Sequence, residues 1–293
     1  MIGLLTEEIA TTPHAGRIIL GAQETASKHN LTLAIINSHL SADATSRTDD
    51  VRALLDRHVD GIIYATVYHH EVSPPAELDA VPAVLIGARD RRGFLPAVMP
   101  DEERGASDVV RLLVDVGHRR IGFASNSEDV PATRGRLRGY LSALALSGID
   151  VDDRLIVSAE SEAAGGYLAA RALLSISPPP TAIFCYNDRM AMGVYRAAYE
   201  LGLRIPNDIS VVGFDDQDPI AGSLYPQLTT VALPHYEMGA WAVDALKARM
   251  DSAGSPEVEV LLRCPVVVRA SISPPNPQER YGGTGVSTPP RDP

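Results

Sequence analysis

Apolar residues arrive in short runs separated by amphipathic stretches along almost the whole chain. The runs Ile2–Leu5, Leu33–Ile36, Gly61–Ala65, Ala83–Ile86, Ala97–Met99, Ile121–Ala124, Leu155–Ser158, Thr181–Cys185 and Ile209–Phe214 each have the length of a buried strand. Helical spacing of apolar residues fills the gaps, predicting helices over Pro13–His29, about Ser46–His58, Glu103–Val116, Thr133–Leu146, Glu162–Ser175 and His235–Met250. The first would begin at an N-cap, Thr12, with Pro13 at the position where a missing N–H costs nothing. Strands alternating with helices predict an α/β protein built on doubly wound parallel sheets. The pattern restarts at GHRRIGFAS, Gly117–Ser125, which predicts two similar lobes.

One segment, Thr181–Asp216, concentrates the chemistry. Two apolar runs flank a helical stretch whose face is Ala191, Val194, Tyr195, Ala198 and Leu201, with Asp188 placed to cap its start and Gly202 to end it. A strand, a helix and a strand over this length form a right-handed crossover, so the two strands run parallel. Their carboxyl ends share one sheet edge, where open α/β folds bind ligands. That edge receives Tyr186, Asn187 and Asp188 from one strand, and Asp215 and Asp216 from the other. Other strands also end in polar groups, among them Thr6, Glu7, Asn37, Ser38, Thr66, Arg89, Ser125, Asn126 and Glu160. A cleft so lined suits a small polyhydroxylated ligand, whose hydroxyls donate to carboxylates and accept from amide or guanidinium groups.

Composition narrows the reading. At 293 residues the chain is long enough for two cores, and its net charge of −11 opposes nucleic-acid binding by these residues alone. Lys28 and Lys247 are the only lysines, which removes a phosphate-loop lysine and most Schiff-base candidates. Cys185 and Cys264 have no metal-ligand spacing, and Cys185 reads as a buried inert thiol. No run of about 18 apolar residues and no secretory signal occur, which points to the cytoplasm and away from a membrane.

No enzyme motif stands out. GxSxG, HExxH and the phosphate loop are missing, and Asp215, Asp216 and Asp218 lack the glycine and distal glutamate of a calcium loop. Asp101, Glu102 and Glu103 read as acids favoured at a helix N-terminus. His69–His70 reads as a solvated loop dipeptide, and His118 as a structural hydrogen-bonder. Neither a metal nor a cofactor is expected. The last twenty residues, Pro274–Pro293, hold six prolines and three glycines and predict a disordered tail.

Seven words in order then carry a resemblance: IGLLTEEI near the start, VDGII (Val59–Ile63), GHRRIGF (Gly117–Phe123), RGRLRGY (Arg134–Tyr140), YNDRMAMG (Tyr186–Gly193), DISVVGFDD (Asp208–Asp216) and PQLTTV (Pro226–Val231). Over Ile2–Pro274 the chain resembles the effector-binding part of the LacI/GalR family of bacterial transcription regulators, a periplasmic-binding-protein-like fold. The resemblance implies lobes of about 1–117 with 233–262 and 118–232 with 263–275, joined by crossover strands, with 276–293 as the tail. It implies a dimeric sensor that closes on a small polar, sugar-like effector. Arg136, Asn187 and Asp215 fall on the family's ligand residues, and Glu7, Thr12 and His14 on first-lobe positions that reach the ligand. Ser161 stands where the family often has an aromatic that stacks on sugar, and His14 where an aromatic or apolar residue is common. Operator DNA would be bound only through an N-terminal helix-turn-helix module, which does not precede the first strand here. A transport-type or stand-alone sugar-binding protein is the alternative, and an enzyme on the same sheets is a third reading.

Overall fold

The computed structural model describes residues 1–7, 9, 16–38, 44–251 and 258–276. The expected cap Thr12–Pro13 and all but the first residue of the 276–293 tail lie outside them. Strands β1 (Ile2–Glu7), β2 (Leu33–Ser38), β3 (Ile62–Val72), β4 (Ala83–Asp90) and β5 (Ala97–Pro100) join β11 (Glu259–Leu262) in a six-stranded parallel sheet of order β11-β5-β4-β3-β1-β2. Strands β6 (Ile121–Asn126), β7 (Ile156–Ala159), β8 (Ala182–Cys185) and β9 (Ser210–Val212) form a second parallel sheet, β7-β6-β8-β9. The α/β class and the parallel pairing of β8 with β9 are as expected from sequence.

Helices α1 (Gly16–Lys28), α2 (Ala44–Leu55), α3 (Glu102–Val116), α4 (Pro131–Leu146), α5 (Ala163–Leu174), α6 (Asp188–Glu200), α7 (Ile220–Ser223) and α8 (His235–Met250) cover the sheets. Side chains alternate across a strand, so one strand feeds two cores. Ile2 and Leu4 of β1 pack with Ile18 and Ala22 of α1 and with Met238, Ala242 and Leu246 of α8. Leu5 of the same strand turns the other way, onto Val51 and Leu54 of α2. β3 and β4 divide likewise, with Ile63, Val84 and Ile86 facing one side and Ile62, Tyr64 and Leu85 the other.

Around the second sheet a single large core holds a stack of Phe123 between Tyr140 and Phe184, with ring centroids 5.3 and 4.7 Å apart. Helix α3 belongs to this core: Ala106, Val109, Val110 and Leu113 are fully buried in it. The lobe boundary expected at 117 places this helix with the first sheet. Its apolar stripe instead turns onto α4. The chain therefore leaves the first sheet at Pro100, returns with α8, and leaves again after Leu262, where Val266–Val267 (β12) pairs antiparallel with Thr230–Val231 (β10). The two-residue strands β10 and β12 escape a sequence pattern, because two residues carry no period.

Local chemistry explains the breaks. Helix α6 ends in a Schellman motif at Gly202 (φ 70°), where Leu203 N–H donates to Ala198 O and Gly202 N–H to Tyr199 O. His118 is buried at the start of β6. Its Nε2–H donates to Ser273 O at 2.9 Å and Nδ1 lies 2.9 Å from the Thr181 hydroxyl, while burial lowers its pKa and keeps it neutral. His69 and His70 are not in a loop: β3 runs on to Val72 by pairing His70 with Ala88 of β4. Cys185 and Cys264 are free and buried, and burial pushes both thiols up, which makes them poor nucleophiles.

Candidate functional site

The carboxyl edges of the two sheets face each other across a cavity of about 80 Å³. From the first sheet Thr66 and Gly87 reach it; from the second come Asn126, Ser161, Asn187 and Asp215, and α4 contributes Arg136. A flank groove of about 890 Å³ between α3 and α4 shares Pro100, Glu102 and Val130 with the cavity. Much of the groove's charge is spent internally, in the pairs Arg138–Glu103, Arg134–Asp129 and Arg89–Glu259. Arg89 thus lies on the flank, away from the cavity.

Arg136 is the hub. Its side chain is only 4 % exposed, with the guanidinium carbon 3.8 Å from the Phe214 ring centroid and 4.4 Å from that of Tyr186. Nε donates to Glu102 Oε2 at 2.7 Å, one terminal nitrogen donates to the Tyr186 carbonyl, and the other to Asp215 Oδ1 at 3.1 Å and Glu102 Oε1 at 3.4 Å. Burial alone would lower the arginine's pKa; the Glu102 and Asp215 carboxylates reverse that and raise it. Each carboxylate has only a share of one cation in return, so burial prevails for both and holds them above the usual carboxylate range.

The backbone aims Asp215 at the hub. Its φ of 106° is a conformation L-residues rarely adopt, held by the bond from Asp215 N–H to Val231 O and a bridge to Ala232. Asp216 turns aside to Arg269 at 2.7 Å. Asp215 and Asp216, adjacent in sequence, thus serve different arginines.

Asn187, not Asp188, caps α6. Its Oδ1 accepts from Met190 N–H at 2.8 Å and its Nδ2 donates to Ser161 O at 2.9 Å, leaving one N–H and one lone pair for a ligand. Asp188 sits one residue inside the helix, fully buried, accepting from Gln217 N–H at 2.7 Å and the Thr230 hydroxyl at 2.6 Å. Burial, with Asp215 nearby, raises its pKa to about 8. Between about pH 4 and 8 the folded chain keeps a proton that the unfolded chain has released. Unfolding free energy therefore falls as pH rises through that window, by up to about 1.4 kcal/mol per pH unit, and levels off above it. Asp188→Asn removes this fall: urea midpoints at pH 5 and pH 8 should differ less for the variant than for the parent. Equal drops would show Asp188 ionised throughout.

Of the other sequence candidates, Glu7 is buried at the end of β1, where it accepts from the Tyr64 hydroxyl and lies 3.6 Å from Arg47; it is not among the residues lining the cavity. Tyr64 occupies it from the neighbouring strand. Thr12 and His14 lie outside the described residues. Glu102, read as a helix-terminal acid, is the residue sequence reasoning missed. Asp101 does the capping, through its bond from Arg104 N–H, while Glu102 faces inward. It falls on the buried stripe of α3, three and four residues before Gly105 and Ala106, and that position was the available clue.

Residues 110–272 match the model of a periplasmic binding protein-like domain family. The chain is 31 % identical over 260 residues to the HTH-type transcriptional repressor CytR of Escherichia coli, covering 88 % of this chain and 75 % of that protein. A LacI-family transcriptional regulator structure from Rhizobium etli superposes with a TM-score of 0.82 at 31 % identity, over 93 % of this chain and 98 % of that one. A LacI-family regulator from Enterococcus faecium with bound ribose gives 0.75 at 27 % identity, over 94 % and 99 %.

Proposed function

The chain belongs to the LacI family of transcriptional regulators, and we propose on that premise that Arg136, Asn187 and Asp215 hold the effector of a ligand-sensing repressor core. The observation that carries the reading is their convergence, from α4, the N-cap of α6 and the segment that follows β9, on one cavity between two parallel sheet edges. Asp215 accepts from ligand hydroxyls through its second oxygen, and Asn187 offers its remaining donor and acceptor. The sugar-like character of the effector is supported by the ribose in the E. faecium relative.

The cavity is far smaller than the roughly 300–1,000 Å³ of pockets that enclose drug-sized ligands. We read the two sheets as lobes that part to admit the effector, the moving joints being the three passages at about residues 101, 234 and 263. Effector shifts the lobe equilibrium only by its differential affinity for the two arrangements, and that shift alters operator binding. The core works as a homodimer in the cytoplasm. Operator DNA is read by a separate DNA-binding module, because a net charge of −11 repels the phosphate backbone. It does not act as an enzyme.

Isothermal titration of the chain with sugars, polyols and nucleosides tests this. Saturable heat from at least one of them, lost in Asn187→Ala, is expected. Silence across the whole panel would overturn the polar-ligand reading.

A further inference from the structure

The charges around the cavity do not balance. Among the described residues that line it, Glu102, Glu128 and Asp215 are acidic and Arg136 and Arg189 are basic, three against two. Arg136 is engaged by Glu102 and Asp215, whereas Arg189 pairs with Glu162 at 2.5 Å through one terminal nitrogen and its buried Nε has no hydrogen-bond partner among the described residues. Of the five N–H donors of Arg136, four are directed at Glu102, Asp215 and the Tyr186 carbonyl. An anion seeking a bidentate grip needs two parallel donors. At Arg136 it would have to evict a carboxylate that is itself about nine-tenths buried, 8 % exposed for Glu102 and 11 % for Asp215. Acceptors, by contrast, remain: Asp215 Oδ2, and one lone pair of Asn187 Oδ1.

We infer that Glu102 is a specificity-determining residue: by occupying the Arg136 fork it makes the cleft select a donor-rich neutral or cationic ligand and reject phosphorylated or carboxylated ones. The inference rests on the reading of this cavity as the effector site and narrows its ligand class. Glu102 needs no direct contact with the ligand to do this. It takes up the Arg136 donors an anion would use and adds repulsion, at low dielectric, against an anion held by Arg189 alone.

The test titrates the whole chain with matched pairs: ribose and ribose 5-phosphate, glucose with glucosamine, glucose 6-phosphate and glucuronate, adenosine and its 5′-monophosphate. For any neutral or amino ligand that binds, the phosphate or acid should bind at least about tenfold more weakly, the scale of one uncompensated charge contact. Glu102→Gln keeps the size and an acceptor for Nε but drops the charge, and should narrow that gap by about tenfold while circular dichroism reports a folded protein. Equal or tighter binding of a phosphate or acid by the parent protein overturns the inference and leaves the effector site standing. An unchanged gap in folded Glu102→Gln removes Glu102 from the role. Should that variant not fold, the parent pairs still decide the ligand class, and Glu102→Asp, which keeps the charge, should preserve the gap. Silence from every compound strikes the effector-site reading itself, and the inference falls with it.

Discussion

Arg136→Ala should lose about 3–5 kcal/mol of unfolding free energy and all measurable ligand response. The magnitude is that of breaking a buried ion pair by removing one partner, because the carboxylates left behind have no water to take its place. Here two are left, Glu102 and Asp215, within a few ångströms of one another's former partner. The stacking of the guanidinium over Phe214 and Tyr186 goes too, each contact contributing about 0.5–2 kcal/mol in a desolvated setting. pH separates the causes. Without the cation, burial raises the two carboxyl pKa values further, so the variant's deficit is smallest in acid, where both groups are protonated in the folded and unfolded chains alike. It grows as pH rises through the raised values. Urea unfolding at pH 5 and pH 8 should therefore show a larger deficit at pH 8. A loss under about 1 kcal/mol, equal at both pH values, would mean that the carboxylates relax to solvent and that the hub is not a structural unit. Arg136→Lys, which keeps a charge but not the planar fork, should recover part of the stability and little of the ligand affinity.

How much of this site the sequence disclosed depended on the kind of signal. The meeting of Asn187 and Asp215 was legible from residues alone, because a strand–helix–strand unit of that length forces β8 and β9 side by side. Arg136 was reachable only through resemblance: helical periodicity tells which face of α4 is buried, not which sheet edge its one buried arginine meets. Glu102 was hidden by a rule that holds for its neighbours, since acids at a helix start favour the dipole wherever their side chains point. Its place on the stripe of Ala106, Val109 and Leu113 outweighed that rule. The cap of α6 was misplaced by one residue for a similar reason, because Asn187 and Asp188 both suit an N-cap and only backbone geometry separates them. His70 eluded prediction because β3 is extended past its apolar run by pairing with β4, an interaction between segments that no local pattern records.

The geometry of the hub depends on a helix crossing that one methyl group should disrupt. At Gly139 of α4 an added Cβ would overlap the Glu103 carbonyl oxygen of α3 and come within 2.8 Å of Ser107 N and 2.7 Å of the Ala106 side chain. Helix propensity alone predicts that Gly139→Ala stabilises, by about 1 kcal/mol. Packing predicts the opposite. Overfilling a close crossing costs about 1–3 kcal/mol, and here the obstacle is backbone, which has no rotamer to escape into. The net expectation is a loss of about 1–2 kcal/mol, with α4 displaced from α3. Arg136 is one turn earlier on the same buried face of α4, and Glu102 is at the head of α3, so the displacement should lengthen the 2.7 Å contact between them. Ligand affinity should then fall about tenfold although the substituted residue lines no part of the cavity. Gly222→Ala is the control, since nothing lies within 4 Å of its added Cβ in α7; it should be neutral or mildly stabilising, with unchanged ligand binding. If Gly139→Ala proves as benign as Gly222→Ala in both urea midpoint and titration, the two helices adjust freely to one another. The fork between Arg136 and Glu102 would then be held by its own hydrogen bonds and by burial, and not by the closeness of the crossing.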